Sequence, residues 1–337
     1  MTMAQHEPGL GSGAHIASGR IDVHAHYVPA ELQASLPAAP IFRGFASWEP
    51  LAALEVMDRQ GIATAILSMV IWTGMFAAVG DAAAARRVAR LSNEAAAEAI
   101  RSHPGRFGGF ARLPLPDADA ALAEIDYALG TLRLDGVVLL TNHDGVYLGD
   151  SRLDPVFDEL NRRKAVVFLH PALPAGFEQT SLGYVPSLIE FVFDTTRAVT
   201  HLVLSGTLER CPGLRLIVPH AGGTIPFLVD RISLLAARFV PGTETRAPAG
   251  VEAYLARLYY ELAIATNPHA VASVLQLVGP EHLLYGSDWP ALDEADVQSL
   301  IQALDGNPLL HPGDRARIER QNALELFPRL RPGAAAC

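Results

Sequence analysis

Four histidines and one aspartate stand where apolar, strand-like runs give way to loops: His24 and His26 in "RIDVHAHYVP", His170 in "FLHP", His220 in "VPHAGG" and Asp288 in "YGSDWP". Imidazole nitrogens and a carboxylate oxygen are donors that suit a divalent ion such as zinc. Side chains two residues apart on a strand project from the same face, so His24 and His26 can reach one ion together. A single histidine at a strand end is more often a hydrogen-bonded structural residue. Four imidazoles and a carboxylate gathered at one end of a sheet are better explained by a metal site.

Bringing them to one end requires a particular scaffold. Eight apolar, β-branched runs fall at residues 20–25, 63–69, 107–113, 136–141, 165–170, 214–220, 258–263 and 282–288. Each is followed by a longer segment with apolar residues at roughly i, i+3 and i+4, often ending at Gly or Pro. Eight continuous apolar strands alternating with amphipathic helices predict an α/β fold, a (β/α)8 TIM barrel. Chemistry in such a barrel sits at the C-terminal ends of the strands. His24 and His26, His170, His220 and Asp288 end strands one, five, six and eight. The barrel is expected to fill residues 20–330 as one domain, between a flexible leader (1–19) and a flexible tail (331–337). A helix over 313–327 closes it, and residues 240–250 read as a long surface loop.

Composition narrows the function classes. The chain has 337 residues, half of them hydrophobic, enough for a large core, and a formal net charge of -10 that argues against nucleic acid as a partner. Its two cysteines, Cys211 and Cys337, are too few for a disulfide framework and suit a reducing cytoplasm, with Cys211 expected to be a buried thiol. The first nineteen residues lack the basic start and apolar run of a signal peptide. Their "GLGSG" follows no strand and is not read as a nucleotide loop. The longest apolar region, "ATAILSMVIWTGMFAAVG", is too interrupted for a membrane span.

"NRRKAVVFLHP", "EFVFDTTRAVTHLVLSGTLER", "LIVPHAGGTIPFLVDRIS" and "GSDWP" carry a resemblance that runs from about residue 20 to 327. The sequence resembles the amidohydrolase superfamily, in its branch of metal-dependent decarboxylases that includes aminocarboxymuconate semialdehyde decarboxylase, and within it the 6-methylsalicylate decarboxylase subgroup. The resemblance implies His24, His26, His170 and Asp288 as ligands of one divalent ion, and His220 as an acid/base residue beside it. Many superfamily hydrolases bridge two metals with a carboxylated lysine at the end of strand four. The only lysine here, Lys164, precedes strand five at the opposite face, so a mononuclear centre is expected. Three imidazoles and one carboxylate favour zinc, with manganese as the other candidate.

The activity implied is that of a carboxy-lyase acting on a hydroxybenzoate-type acid. Direct loss of CO2 would leave an aryl carbanion, so the carboxylated ring carbon must be protonated first. Asp288 is the favoured proton donor with His220 tuning it, and the sequence leaves the choice between them open. Arg43 and Arg231 match substrate-binding arginines of the resembling decarboxylases, and Arg231 is expected to reach the site of a second subunit in a homodimer. Asp194 and Arg197 in "FDTTR" are candidates for the pocket wall, or a structural i, i+3 pair. Trp72, Phe76, Tyr184 and Phe191 could face an aromatic ring, although core packing is the commoner fate of such residues. Glu261 stands where relatives often carry Asp, and its extra methylene alters either the pocket or a supporting hydrogen bond. Two other readings remain: a mononuclear hydrolase of a lactone or amide with His220 as base, and a barrel without catalysis.

Overall fold

Strands buried on both faces must be apolar on both, and the inner and outer sets of this chain separate residue by residue. The computed structural model describes residues 19–38, 42–71 and 81–331. The expected leader and tail lie almost wholly outside these residues. Eight parallel strands form the sheet: β1 (Arg20–His26), β2 (Ile62–Ser68), β3 (Phe107–Arg112), β4 (Gly136–Leu140), β5 (Val166–His170), β6 (Arg215–Val218), β7 (Tyr259–Glu261) and β8 (Leu283–Leu284). They pair in sequence order. The ring is closed by backbone bonds between β1 and the chain leaving β8: Val23 N–H to Tyr285, Asp288 N–H to the His24 carbonyl, and His26 N–H to Trp289.

Helices α1 (Pro50–Gln60), α2 (Ala82–Ser102), α3 (Ala118–Ile125), α4 (Asp154–Arg162), α5 (Glu190–Leu204), α6 (Ile225–Phe239), α7 (Pro268–Leu277) and α8 (Glu294–Asp305) follow the strands in turn. The fold is the (β/α)8 barrel that the alternation predicts. Three boundaries differ from the sequence expectation. Strand eight is only two residues long, because the chain turns away toward Asp288, whose φ is 58°. The closing helix is split into Pro312–Ala316 and Asn322–Leu326 by a wide helical turn. The 240–250 loop contains one short helix, Thr243–Arg246.

The outer core lies between strands and helices, as with Val137, Leu139, Val167 and Leu169. Ile21, Val23, Ile66, Phe110, Val138, Leu140, Val166, Phe168, Ile217 and Leu284 fill the barrel, with Ala323, Leu326 and Phe327 plugging its floor. Phe327 packs on Phe110, Phe110 on Phe168, and Phe168 on His24, with ring centroids 5.8, 5.4 and 4.9 Å apart. This column runs from the floor to the polar mouth. Lys164 adjoins Leu326 beside the floor, at the end away from the histidines. Cys211 is fully buried, and burial first of all pushes its thiol up to about 11. Among the described residues, no helix is long and apolar enough to cross a membrane.

Candidate active site

Strand alternation aims His170 inward: Val166 and Phe168 point into the barrel, so the residue two further on does as well. Strand β1 needs an additional device. Ile21 and Val23 point inward, and strict alternation would send His24 outward. The register with β2 runs Asp22 to Ala65 and then Ala25 to Leu67, three residues against two. One extra residue in β1 is a bulge, which resets the alternation and brings His24 and His26 inward.

The Asp22 carboxylate holds this bulge. Its Oδ1 accepts from the backbone N–H of His24 and of Ser287, both at 3.0 Å, and its Oδ2 accepts from the Ser287 hydroxyl. Asp22 therefore fastens the bulge of β1 to the turn that carries Asp288. Burial raises its carboxyl to about 7, against the hydrogen bonds from Ser287 and His24. The sequence reading missed Asp22; its signal is the inward pair at 21 and 23 followed by an inward pair at 24 and 26.

Each of the three inward imidazoles has a committed Nδ1. His24 Nδ1 donates to Glu261 Oε1 at 2.8 Å, His170 Nδ1 to the Pro171 carbonyl at 2.8 Å, and His26 Nδ1 to Ser68 Oγ at 2.9 Å. Carboxylate and carbonyl oxygens only accept, and the Ser68 hydroxyl gives its own proton to the Ala25 carbonyl. These bonds fix the tautomers and leave three bare Nε2 lone pairs. One atom from each of His24, His26, His170 and Asp288 falls within a 4.8 Å group. His24 Nε2 is 3.0 Å from His26 Nε2, and Asp288 Oδ1 is 2.9 Å from His26 Nε2 and 3.3 Å from His24 Nε2. Lone pairs converging this closely call for a cation among them. Burial opposes charge on His24, yet the Glu261 and Asp288 carboxylates raise it to about 10, the same demand met in another form. The chain thus carries a His/His/His/Asp group fit for one divalent ion.

His220 lies on the other side of Asp288, with Nε2 3.9 Å from Oδ2. Its backbone N–H donates to Glu261 Oε1 at 2.7 Å, so Glu261 supports both His24 and His220. The Oε2 of Glu261 accepts from Ala263 N–H at 2.6 Å. His220 and Asp288 both have positive φ, 54° and 58°. Such backbone costs on the order of 1–3 kcal/mol per residue and clusters at functional sites. Gly222, in the same turn as His220, has a φ of 83° and rests against the Tyr260 ring, where a Cβ would collide.

The remaining candidates divide. Arg43 is exposed on the short helix Arg43–Ala46, which meets the site through Phe45, whose ring stacks on His26 at 5.8 Å. Phe191 stands against His170 at 6.2 Å, and Tyr184 is exposed. Trp72 and Phe76 lie outside the described residues. Asp194 is fully buried and pairs with Arg197 at 2.7 Å. It also accepts from Thr141 Oγ, Asn142 Nδ2 and Tyr147 OH. This network ties α5 to the end of β4, and the Thr141 N–H in turn donates to the His170 carbonyl. Arg231 is exposed on α6 and makes no hydrogen bond or ion pair among the described residues.

The family model for amidohydrolases matches residues 21–329. The chain is 32% identical over 319 residues to the 6-methylsalicylic acid decarboxylase of Penicillium expansum, covering 93% of this chain and 97% of that one. It is 34% identical over 330 residues to the decarboxylase macB of Penicillium terrestre, covering 93% and 96%. The crystal structure of an amidohydrolase II protein superposes with a TM-score of 0.83 at 29% identity, over 92% of this chain and 99% of that one. With its barrel, its inward histidines and this match over almost its whole length, the chain belongs to the amidohydrolase family.

Proposed function

We propose that this protein is a metal-dependent, non-oxidative decarboxylase of a hydroxybenzoate-type acid, with 6-methylsalicylate as the first substrate to test. The carrying observation is the division of Asp288: Oδ1 faces the His24 and His26 lone pairs, while Oδ2 faces His220. One edge of the carboxyl group serves the ion and the other can hold a proton. The name of the Penicillium expansum relative, matched over nearly the full length of both chains, supports the substrate class.

The ion, when bound by His24, His26, His170 and Asp288, supplies a Lewis acid that orients the acid and balances its changing charge. Three imidazoles and one carboxylate support zinc as its identity. Asp288 delivers a proton from Oδ2 to the ring carbon bearing the carboxylate, and His220 replenishes it. The carbon–carboxylate bond then breaks, CO2 leaves, and its bonding pair restores the aromatic ring. Phe45 and Phe191 give the ring apolar neighbours beside His26 and His170.

Arg231 supports a homodimer in which it serves the partner's site. On α6 it lies along an exposed face with Phe227, 85% exposed, and Leu234, 67% exposed. Further apolar side chains, Leu182, Leu188 and Phe193, are exposed in and before α5. Apolar surface of this kind marks an interaction site. The cysteine usage supports a cytoplasmic location.

The test is turnover in heavy water. Zinc-loaded protein given 6-methylsalicylate and a set of hydroxybenzoates should release CO2 and leave one deuterium at the vacated ring carbon. Intact acids, with water added instead to lactones or amides, would overturn the reading in favour of a hydrolase.

A further inference from the structure

At the ends of β3, β4 and β5 the barrel mouth opens into a cavity of about 620 Å3, walled by Arg112, Leu140, Asn142, His143 and Leu173 among others. It adjoins the metal group, because Leu140 pairs with His170 in register. Arg112 closes β3 and is only 7% exposed. Its Nη1 donates to the Met69 and Ile71 carbonyls at 3.1 and 2.5 Å, which fixes the guanidinium against the chain leaving β2. His143 sits in the small hairpin of Asn142–His143 and Val146–Tyr147. Its buried Nε2 has no hydrogen-bond partner. Burial, and then the charge of Arg112, pull this imidazole down to about 3 and keep it neutral.

The acids on the same wall are turned to other tasks. Asp81 caps α2 and Asp117 caps α3, each accepting a backbone N–H, and Asp117 also pairs with Arg86 at 3.0 Å. Asp144 is exposed at the hairpin turn. A salicylate bearing only a methyl group would leave Arg112 and His143 nothing to bind. Buried cationic and neutral donors beside a cavity are worth most against an oxygen anion.

We propose that the substrate carries a second carboxylate, on the ring or a short side chain, which Arg112 and His143 receive in this cavity. The inference rests on the decarboxylase reading and specifies its substrate class. Arg112 and His143 then determine specificity, while the metal group and His220 serve the reacting carboxylate.

The experiment compares 6-methylsalicylate with salicylates bearing a second carboxylate at ring positions 3, 4, 5 or 6. At least one diacid should show a KM about tenfold lower, the size of one charge-assisted contact. Arg112→Met should abolish that preference, Arg112→Lys should restore part of it, and His143→Phe should weaken it while changing kcat less than KM. Equal effects of Arg112→Met and His143→Phe on both substrate types would reduce the pair to structural staples and overturn the proposal. So would turnover of 6-methylsalicylate with no preference for any diacid. Should no acid be decarboxylated, the reaction reading fails, and calorimetry decides this inference separately. Phthalate, isophthalate or terephthalate should then bind the metal-loaded protein about tenfold more tightly than benzoate, with the margin lost in His143→Phe; equal binding overturns it.

Discussion

Glu261 Oε1 accepts two hydrogen bonds at once, from His24 Nδ1 at 2.8 Å and from the His220 backbone N–H at 2.7 Å. One oxygen thereby sets the tautomer of a candidate ligand and the position of a candidate acid. The extra methylene relative to Asp serves this support, reaching both partners while Oε2 holds Ala263 N–H. Glu261→Gln must set its amide NH2 against one of these donors. Its metal affinity should fall by about 10–100-fold, read by competition with a chelator, with the secondary structure retained in circular dichroism.

Asp22 offers a second test of positioning. Asp22→Ala leaves the buried N–H groups of His24 and Ser287 without their acceptor, at a cost of about 1–3 kcal/mol each. Stability in urea should drop by that order, and metal content should fall with it because the bulge that aims His24 is released. Asp22→Asn keeps one acceptor oxygen and should fall between. A variant with normal metal content would separate the bulge from the ligands.

Removing a donor directly should be more severe. His170→Ala deletes one of three bare Nε2 groups and should lose metal and turnover together. A fully loaded and active variant would remove His170 from the ligand set.

Arg231→Ala should raise the apparent KM for the aromatic acid with a smaller change in kcat. If Arg231 serves the neighbouring site, mixing Arg231→Ala with His170→Ala chains should restore activity that neither has alone. The mixed dimer contains one site with an intact His170 and the other chain's Arg231. Absence of complementation in a mixed dimer verified by mass spectrometry would return Arg231 to the surface.

His143 predicts a pH dependence. Its folded pKa, about 3, lies below its ordinary value of 6.5. Between these values the unfolded chain takes up a proton that the folded chain refuses. The stability from the neutral imidazole is therefore complete above pH 6.5 and falls as pH drops toward 3, by about 1.4 kcal/mol per pH unit for this one group. His143→Phe should lose less stability than the wild type between pH 7.5 and 5, measured by urea unfolding of both.

The strands were readable because burial on two faces writes continuous apolar runs, and His170 was readable because parity with Val166 and Phe168 is unbroken. The outlook was poorer wherever a backbone irregularity does the aiming. Parity alone, carried from Val23, would send His24 outward; the bulge that corrects it is held by Asp22, a residue a reader passes over on the way to the histidines. Asp194 stood out in its helix, but sequence could not say that its carboxylate is already committed to Thr141, Asn142, Tyr147 and Arg197. The roles of Arg112 and His143 were invisible for a similar reason: each lies in a different βα connection, and only closure of the barrel brings them to one cavity.

The ring column from Phe327 through Phe110 and Phe168 to His24 makes the barrel a blind shaft. Phe110 and Phe168 are fully buried and Phe327 nearly so, leaving no rear exit. Under the proposed reaction, the acid, the replenishing proton, the departing gas and the spent ring all share one doorway. Traffic through a single door imposes an order: CO2, small and uncharged, can slip past the ring, whereas the next acid must wait until the ring has gone.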